Sequence, residues 1–196
     1  MKLIKFTTIF LVLSFLFSEQ AIKYTKVPSI GSNELTNFIG ENVQFSDLYK
    51  DGPLLLSFWF LGCGPCVAEM KHLSKFNERY GDSGFKVVSI STDTKSKGKV
   101  KSFAKKKKYS FDMLFDRKGK DGILKKLGSS SCPFTVLINT DGTIYSKHLG
   151  YERGDEVKLE KEISEFIQFN KTLKDSRPPL SEVELKIEVK DTLNLK

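Results

Sequence analysis

The chain is poor in the residues that build metal centres and disulfide frameworks. It has three cysteines (Cys63, Cys66 and Cys132), two histidines (His72 and His148) and one tryptophan, Trp59. A structural zinc site takes four ligands, commonly from a second C-x-x-C or a histidine pair, and that spacing is missing; no metal is expected. A small secreted scaffold stapled by disulfides uses several well-separated pairs, whereas here the count is odd and two cysteines enclose only a Gly-Pro dipeptide. A peroxide-reducing cysteine would want a threonine a few residues upstream, and "FLGCGPC" has none. Internal repeats and long low-complexity segments are also absent, so solenoid and collagen-like architectures are excluded.

Long apolar runs are scarce too. The N-terminal one, Phe6 to Phe17, is broken only by Thr7, Thr8 and Ser14, follows Lys2 and Lys5, and precedes small or polar residues. It falls short of the roughly 20 residues of a membrane-spanning helix and fits a secretory signal peptide over residues 1–21. There is no A-x-A triplet, and Ser18 and Ala21 both offer a small residue before a cut. A retained anchor is the alternative. No cysteine lies there, so a lipoprotein anchor is not expected. The mature protein is expected to be exported, periplasmic or extracellular, as one domain over residues 22–170 followed by a tail, residues 171–196.

Acidic residues are outnumbered. The formal charge is +8, and loss of residues 1–18 would remove Lys2 and Lys5 with no acid, leaving +6. Much of the excess lies in "KSKGKVKSFAKKKK", residues 95–108, where Val100, Phe103 and Ala104 share a helical face. The run reads as the solvated side of an amphipathic helix, with an acidic partner or membrane surface as the alternative. It lacks the interleaved aromatic platforms of a single-strand binder, and no nucleic acid is expected.

What is present is an alternation of buried strands and helices. "IGSNELTNFIGENVQFSDL" reads as an N-terminal β-hairpin extension closed by the turn "KDGP". "LLLSFWF", residues 54–60, is a strand buried on both faces. Val67, Met70, Leu73, Phe76 and Tyr80 then recur at helical spacing, with Pro65 in the first turn, where a helix tolerates it. "FKVVSIST", "FDMLFD", "PFTVLIN" and "TIYSKHLGY" are further strands, the last two joined by the hairpin signal "TDG". A short helix, "DGILKKLG", and a last amphipathic one, residues 155–169 with Leu159, Ile163, Phe166 and Ile167 inward, complete the pattern. The fold class is α/β, a central mixed β-sheet flanked by helices on both faces. In the tail only "VELKIEV" alternates, and it either adds an edge strand or stays mobile.

A C-x-x-C pair where a strand passes into a helix puts Cys63 at the helix N-terminus, where unsatisfied N–H groups and the macrodipole favour thiolate. Cys66, in the same turn, is placed to resolve a mixed disulfide. The pattern therefore reads as redox catalysis, with Cys63 as nucleophile.

"FWFLGCGPC" before a helix, and "SSCPFTVLINTDG" some seventy residues later, resemble the thioredoxin superfamily, and "GENVQFSDLYKDGPLLLSFWF" resembles its exported TlpA/ResA-type branch. The resemblance covers roughly residues 25–170. It implies a thioredoxin fold, dithiol–disulfide exchange with no cofactor beyond the Cys63–Cys66 disulfide, and a cis-proline at Pro133 facing the cysteines. It further implies substrate contacts at Trp59, Gly64, Pro65, Cys132 and Pro133, and a role for Glu69 in thiol protonation, an exposed helix acid being the alternative. The sequence departs from the family pattern at three points. Ser57 stands where thioredoxins proper carry a buried Asp, Gly62 stands where a bulky residue often precedes the first cysteine, and Cys132 precedes the proline. Cys132 either pairs with Cys63, traps partners, tunes the potential, or is inert. The expected function is reduction of disulfides in partner proteins by a monomer recharged by an upstream electron donor; the alternative is a binding module of narrow partner choice on the same fold.

Overall fold

The computed structural model describes residues 25–175. The expected signal peptide and the alternating stretch of the tail lie outside the described residues.

The sheet is built around one hydrophobic strand. β1 (Leu35–Thr36) and β2 (Asn42–Val43) form the short N-terminal hairpin, and a 3₁₀ turn at Phe45–Leu48 leads to β3 (Leu54–Trp59), all of whose residues are buried. α1 (Gly64–Tyr80), β4 (Lys86–Ser91), α2 (Lys97–Lys107) and β5 (Asp112–Asp116) follow. α3 (Ile123–Lys126), β6 (Phe134–Ile138), β7 (Ile144–Leu149) and α4 (Asp155–Asp175) complete the chain. The order across the sheet is β2-β1-β5-β4-β3-β6-β7. β3, β4 and β5 are parallel neighbours, joined by helical crossovers, and the remaining pairs are antiparallel. Parallel strands covered on both sides must be apolar throughout, which is why β3 reads as a continuous run.

Alternation along the strands splits the core in two. Leu54, Leu56 and Phe58 face one side with Val88, Ile90, Val136, Ile138, the short α3 and the 3₁₀ turn. Leu55 and Trp59 face the other with Leu73 and Phe76 of α1, Val100 of α2 and Leu159, Ile163 and Phe166 of α4. Full burial of each such leucine stabilises the fold by about 2 kcal/mol. Both faces are covered as expected, but unequally, since the three long helices share one. The crossovers β3-α1-β4 and β4-α2-β5 step in the same direction across the sheet, and a right-handed connection then places both helices on the same face.

α4 continues past the expected end at 169 to Asp175, so the tail assigned from 171 begins inside a helix. The cause is polar. Asn170 is buried, its Nδ2 donates to Asn139 Oδ1 at 2.8 Å and to the Phe166 carbonyl at 2.9 Å, and its Oδ1 accepts from Thr140 N at 3.1 Å. This anchor to the β6–β7 turn adds nothing to an apolar pattern, so periodicity stops short of it.

Candidate active site

The site lies where β3 ends. Thr92 N donates to the Trp59 carbonyl at 2.9 Å, and the Asp93 carboxylate accepts from Leu61 N at 2.7 Å, pinning the segment that leaves the sheet. A tight turn follows, in which Cys63 N donates to the Phe60 carbonyl at 3.2 Å and Gly62 adopts φ +86°. That left-handed backbone favours glycine over a bulky residue. Cys63 is then the N-cap of α1, with its Sγ accepting from Cys66 N at 3.2 Å, while Gly64 and Pro65 open the helix. Cys63 and Cys66 are joined in a disulfide with Cα atoms 5.3 Å apart. Cys66 is fully buried and Cys63 nearly so, at 5% exposed, which makes Cys63 the more accessible of the two.

The Cys132–Pro133 peptide is cis, and the Pro133 carbonyl accepts from Gly150 N at 2.9 Å. Pro133 thus sits at the head of β6, whose next residue, Phe134, pairs with Phe58 of β3. Cys132 is a free, partly buried thiol that packs against both halves of the core. Burial first, then the charges of Glu69 and Asp93, push its pKa up to about 11, so it stays protonated at neutral pH. A hollow of about 450 Å³ beside it is lined by Phe60, Thr92, Lys120, Leu124 and Ser131.

Glu69, one turn beyond Cys66, is 3% exposed, so the alternative of a solvated helix acid does not hold. Its Oε1 accepts from Thr135 Oγ1 at 3.0 Å and its Oε2 from Ser57 Oγ at 3.4 Å. Burial raises its pKa to about 7 against these two hydrogen bonds and the charge of His148. Ser57, on the strand where a thioredoxin would place its Asp, therefore supports the glutamate. Thr135 was missed in the sequence; a polar residue inside the apolar run "PFTVLIN" is the signal for it.

Trp59, expected among the substrate contacts, is fully buried with its ring 5.1 Å from that of Phe103. Strand alternation turns it into the core under α1 and α2. The exposed aromatic is its neighbour Phe60, 42% open to solvent. His148 pairs with Glu162 at 2.6 Å and His72 lies 3.9 Å from Glu156, both at the rim of the helical layer. Among the described residues no cluster of three or more His, Cys, Asp or Glu side chains is arranged to hold a metal ion.

A mixed sheet with a cysteine pair opening the helix after its central strand, opposite a cis-proline that opens the antiparallel neighbour, is the thioredoxin fold. Within it the chain belongs to the Redoxin family, whose model matches residues 23–163. It is 29% identical over 116 residues to the thiol-disulfide oxidoreductase ResA of Halalkalibacterium halodurans, covering 59% of this chain and 64% of that protein. It is 31% identical over 117 residues to the thioredoxin-like protein YneN of Bacillus subtilis, covering 59% of this chain and 66% of that one. The chain thus spans slightly less than two thirds of the length of these relatives. A crystal structure of a Chlorobium tepidum protein assigned as thiol:disulfide interchange protein DsbE superposes with a TM-score of 0.65 at 28% identity, covering 74% of this chain and 97% of that one.

Proposed function

We propose that this protein is an exported thiol-disulfide oxidoreductase that reduces disulfides in partner proteins. The observation that carries the reading is the Cys63–Cys66 disulfide at the N-terminus of α1, with Cys63 the more accessible of the two and Cys66 fully buried. In the reduced protein, Cys63 thiolate attacks a substrate disulfide, forming a mixed disulfide and releasing one substrate sulfur as a thiolate that solvent protonates. Cys66 then gives its proton to the Glu69 carboxylate and attacks Cys63 sulfur. The Cys63–Cys66 bond forms, the mixed disulfide breaks, and the second substrate sulfur leaves as thiolate. Two electrons pass to the substrate, and an upstream dithiol donor restores the pair.

The helix N-terminus supports the thiolate at Cys63, and Glu69, with a pKa near 7, is matched to accept a proton at neutral pH. Phe60, Cys132 and Pro133 border the surface that would receive an extended substrate segment by strand addition. The protonated thiol of Cys132 makes it a wall of that surface rather than a second nucleophile. The Gly-Pro dipeptide between the cysteines is that of thioredoxin, a reductant with a potential of about −270 mV. The signal-like N-terminal run supports action outside the cytoplasm, in a periplasmic or extracellular setting. No helix among the described residues is long and apolar enough to cross a membrane.

The test is dithiothreitol-driven reduction of insulin. Wild type is expected to turn over, Cys63→Ser to be inactive, and Cys66→Ser to accumulate a mixed disulfide resolvable on a non-reducing gel. Equal turnover by wild type and Cys63→Ser would reject the reading.

A further inference from the structure

Glu69 is enclosed by the sheet, yet it lines a cavity of about 350 Å³ between β7 and α4. The other walls are polar or charged: Lys147 and His148 from β7, the neutral phenol of Tyr151 from the turn, and Asp155, Lys158 and Glu162 from α4. Their roles differ. Lys147 Nζ donates to the Leu127 carbonyl at 2.8 Å, and Tyr151 donates to Glu156 at 2.7 Å, so each is engaged elsewhere. Lys158 lies 3.9 Å from Asp155 with its side chain 87% exposed. His148 is different, because its Nε2 is 2.6 Å from a Glu162 oxygen and also within 3.4 Å of Ser146 Oγ. Ser57 and Thr135 from the sheet, and the neutral thiol of Cys132, complete the surroundings of Glu69.

We propose that the His148–Glu162 pair is a positioning device for the redox site: Glu162 holds His148 as a cation, and that cation, across the cavity, sets the pH at which Glu69 takes up and gives back its proton. The proposal rests on Glu69 being the acceptor for Cys66. After the Cys63–Cys66 bond forms, Glu69 carries the proton taken from Cys66 and must return it before the next cycle. A cation facing it across a small cavity favours the carboxylate and so favours that return. His148 is well suited to the task. Its pairing with Glu162 raises its pKa, keeping it charged further into the neutral range, and its charge acts to lower the pKa of Glu69. Asp155, from the N-terminus of α4, acts on Glu69 in the opposite sense.

The experiment follows the Glu69 side-chain carboxyl by ¹³C NMR as a function of pH in the oxidised full-length protein, in wild type, His148→Gln, Glu162→Gln and Asp155→Asn. Loss of the cation is expected to raise the Glu69 midpoint by about half a pH unit or more in His148→Gln. Glu162→Gln should move it in the same direction, and Asp155→Asn downwards. An unmoved midpoint in His148→Gln, with an amide spectrum still dispersed as in wild type, overturns the proposal. Should His148→Gln fail to fold, Glu162→Gln and Asp155→Asn decide, and the proposal falls unless they shift Glu69 in opposite directions. The readout needs no turnover. Failure here is therefore distinct from failure of the Glu69 reading, which would show as Glu69→Gln having an unchanged pH–rate profile in insulin reduction.

Discussion

Glu69 and Asp116 are both carboxylates sealed within the fold, at opposite ends of the sheet's usefulness. Burial raises the pKa of each. Their hydrogen-bond donors differ in kind. Asp116 accepts from Lys118 N at 2.9 Å and Ile123 N at 2.5 Å, both backbone donors with no other orientation open to them. It holds the turn between β5 and α3, and Gly122 packs so close that an added Cβ would collide with its carboxylate. Among the described residues, Glu69 accepts from the hydroxyls of Ser57 and Thr135 alone. A hydroxyl can rotate to donate or accept, so its partner can gain or lose a proton without breaking the structure. Backbone donors thus tie an acid to one charge state and make it architecture, while hydroxyl donors leave an acid free to titrate.

The largest effect should come from removing the architectural acid. Asp116→Ala strands the buried N–H of Ile123 and strips the part-buried N–H of Lys118 of its acceptor; at about 1–3 kcal/mol for a buried group and less for a part-buried one, a loss of about 3 kcal/mol is expected in urea unfolding at pH 7. A loss below about 1 kcal/mol would mean that water replaces the carboxylate and that the contrast with Glu69 is false. Next comes Glu69→Gln. The folded pKa of Glu69, about 7, exceeds its ordinary 4.5, so the folded state binds this proton more tightly. Stability from that group is full below pH 4.5 and is lost as pH rises through 7, a difference of about 3 kcal/mol. Glu69→Gln should therefore match wild type at pH 4.5 and exceed it by about that amount at pH 8. The same variant should lose the pH dependence near 7 in disulfide reduction. A stability gap that is the same at both pH values would show that Glu69 does not titrate in the fold.

The redox pair and the strands were legible because each is a local pattern: two cysteines in one turn, and apolar runs bounded by turn residues. The burial of Glu69 was not. Its flanking residues, Ala68 and Met70, say only that a helix passes, and its two partners arrive from Ser57 and Thr135 on separate strands. The place of Trp59 was misjudged for a related reason. Next to the cysteines in sequence, it is turned into the core by strand alternation, and Phe60 takes the surface. Asn170 lies beyond the reach of any apolar period, and the tool that would have found it is the accounting of buried polar groups in the β6–β7 turn. Local periodicity thus yields elements and the cysteine chemistry, whereas the polar contacts that tune the site depend on pairings between distant strands.

Glu34 sharpens the comparison from a third direction and with the smallest expected effect. It is buried just before β1, but its Oε1 accepts from the Lys126 ammonium at 2.6 Å and from Gly31 N at 3.1 Å, and its pKa is lowered, chiefly by Lys126. Here a cation, helped by one backbone donor, fixes the charge, and it ties the N-terminal extension to α3. Lys126→Met keeps the aliphatic stem and removes the ammonium. The remaining lysine, Lys118, lies 3.9 Å away with its side chain 60% exposed, so it compensates in part. A loss of about 1 kcal/mol at pH 7 is expected, in line with a pair whose lysine is partly solvated. Because the carboxylate pKa is depressed, the pair's contribution is complete above pH 4.5 and fades as the pH falls through the folded value. Urea curves of wild type and Lys126→Met should therefore converge towards pH 3. A deficit that persists unchanged at low pH would place the contribution in the packing of the lysine stem and leave Glu34 outside the contrast.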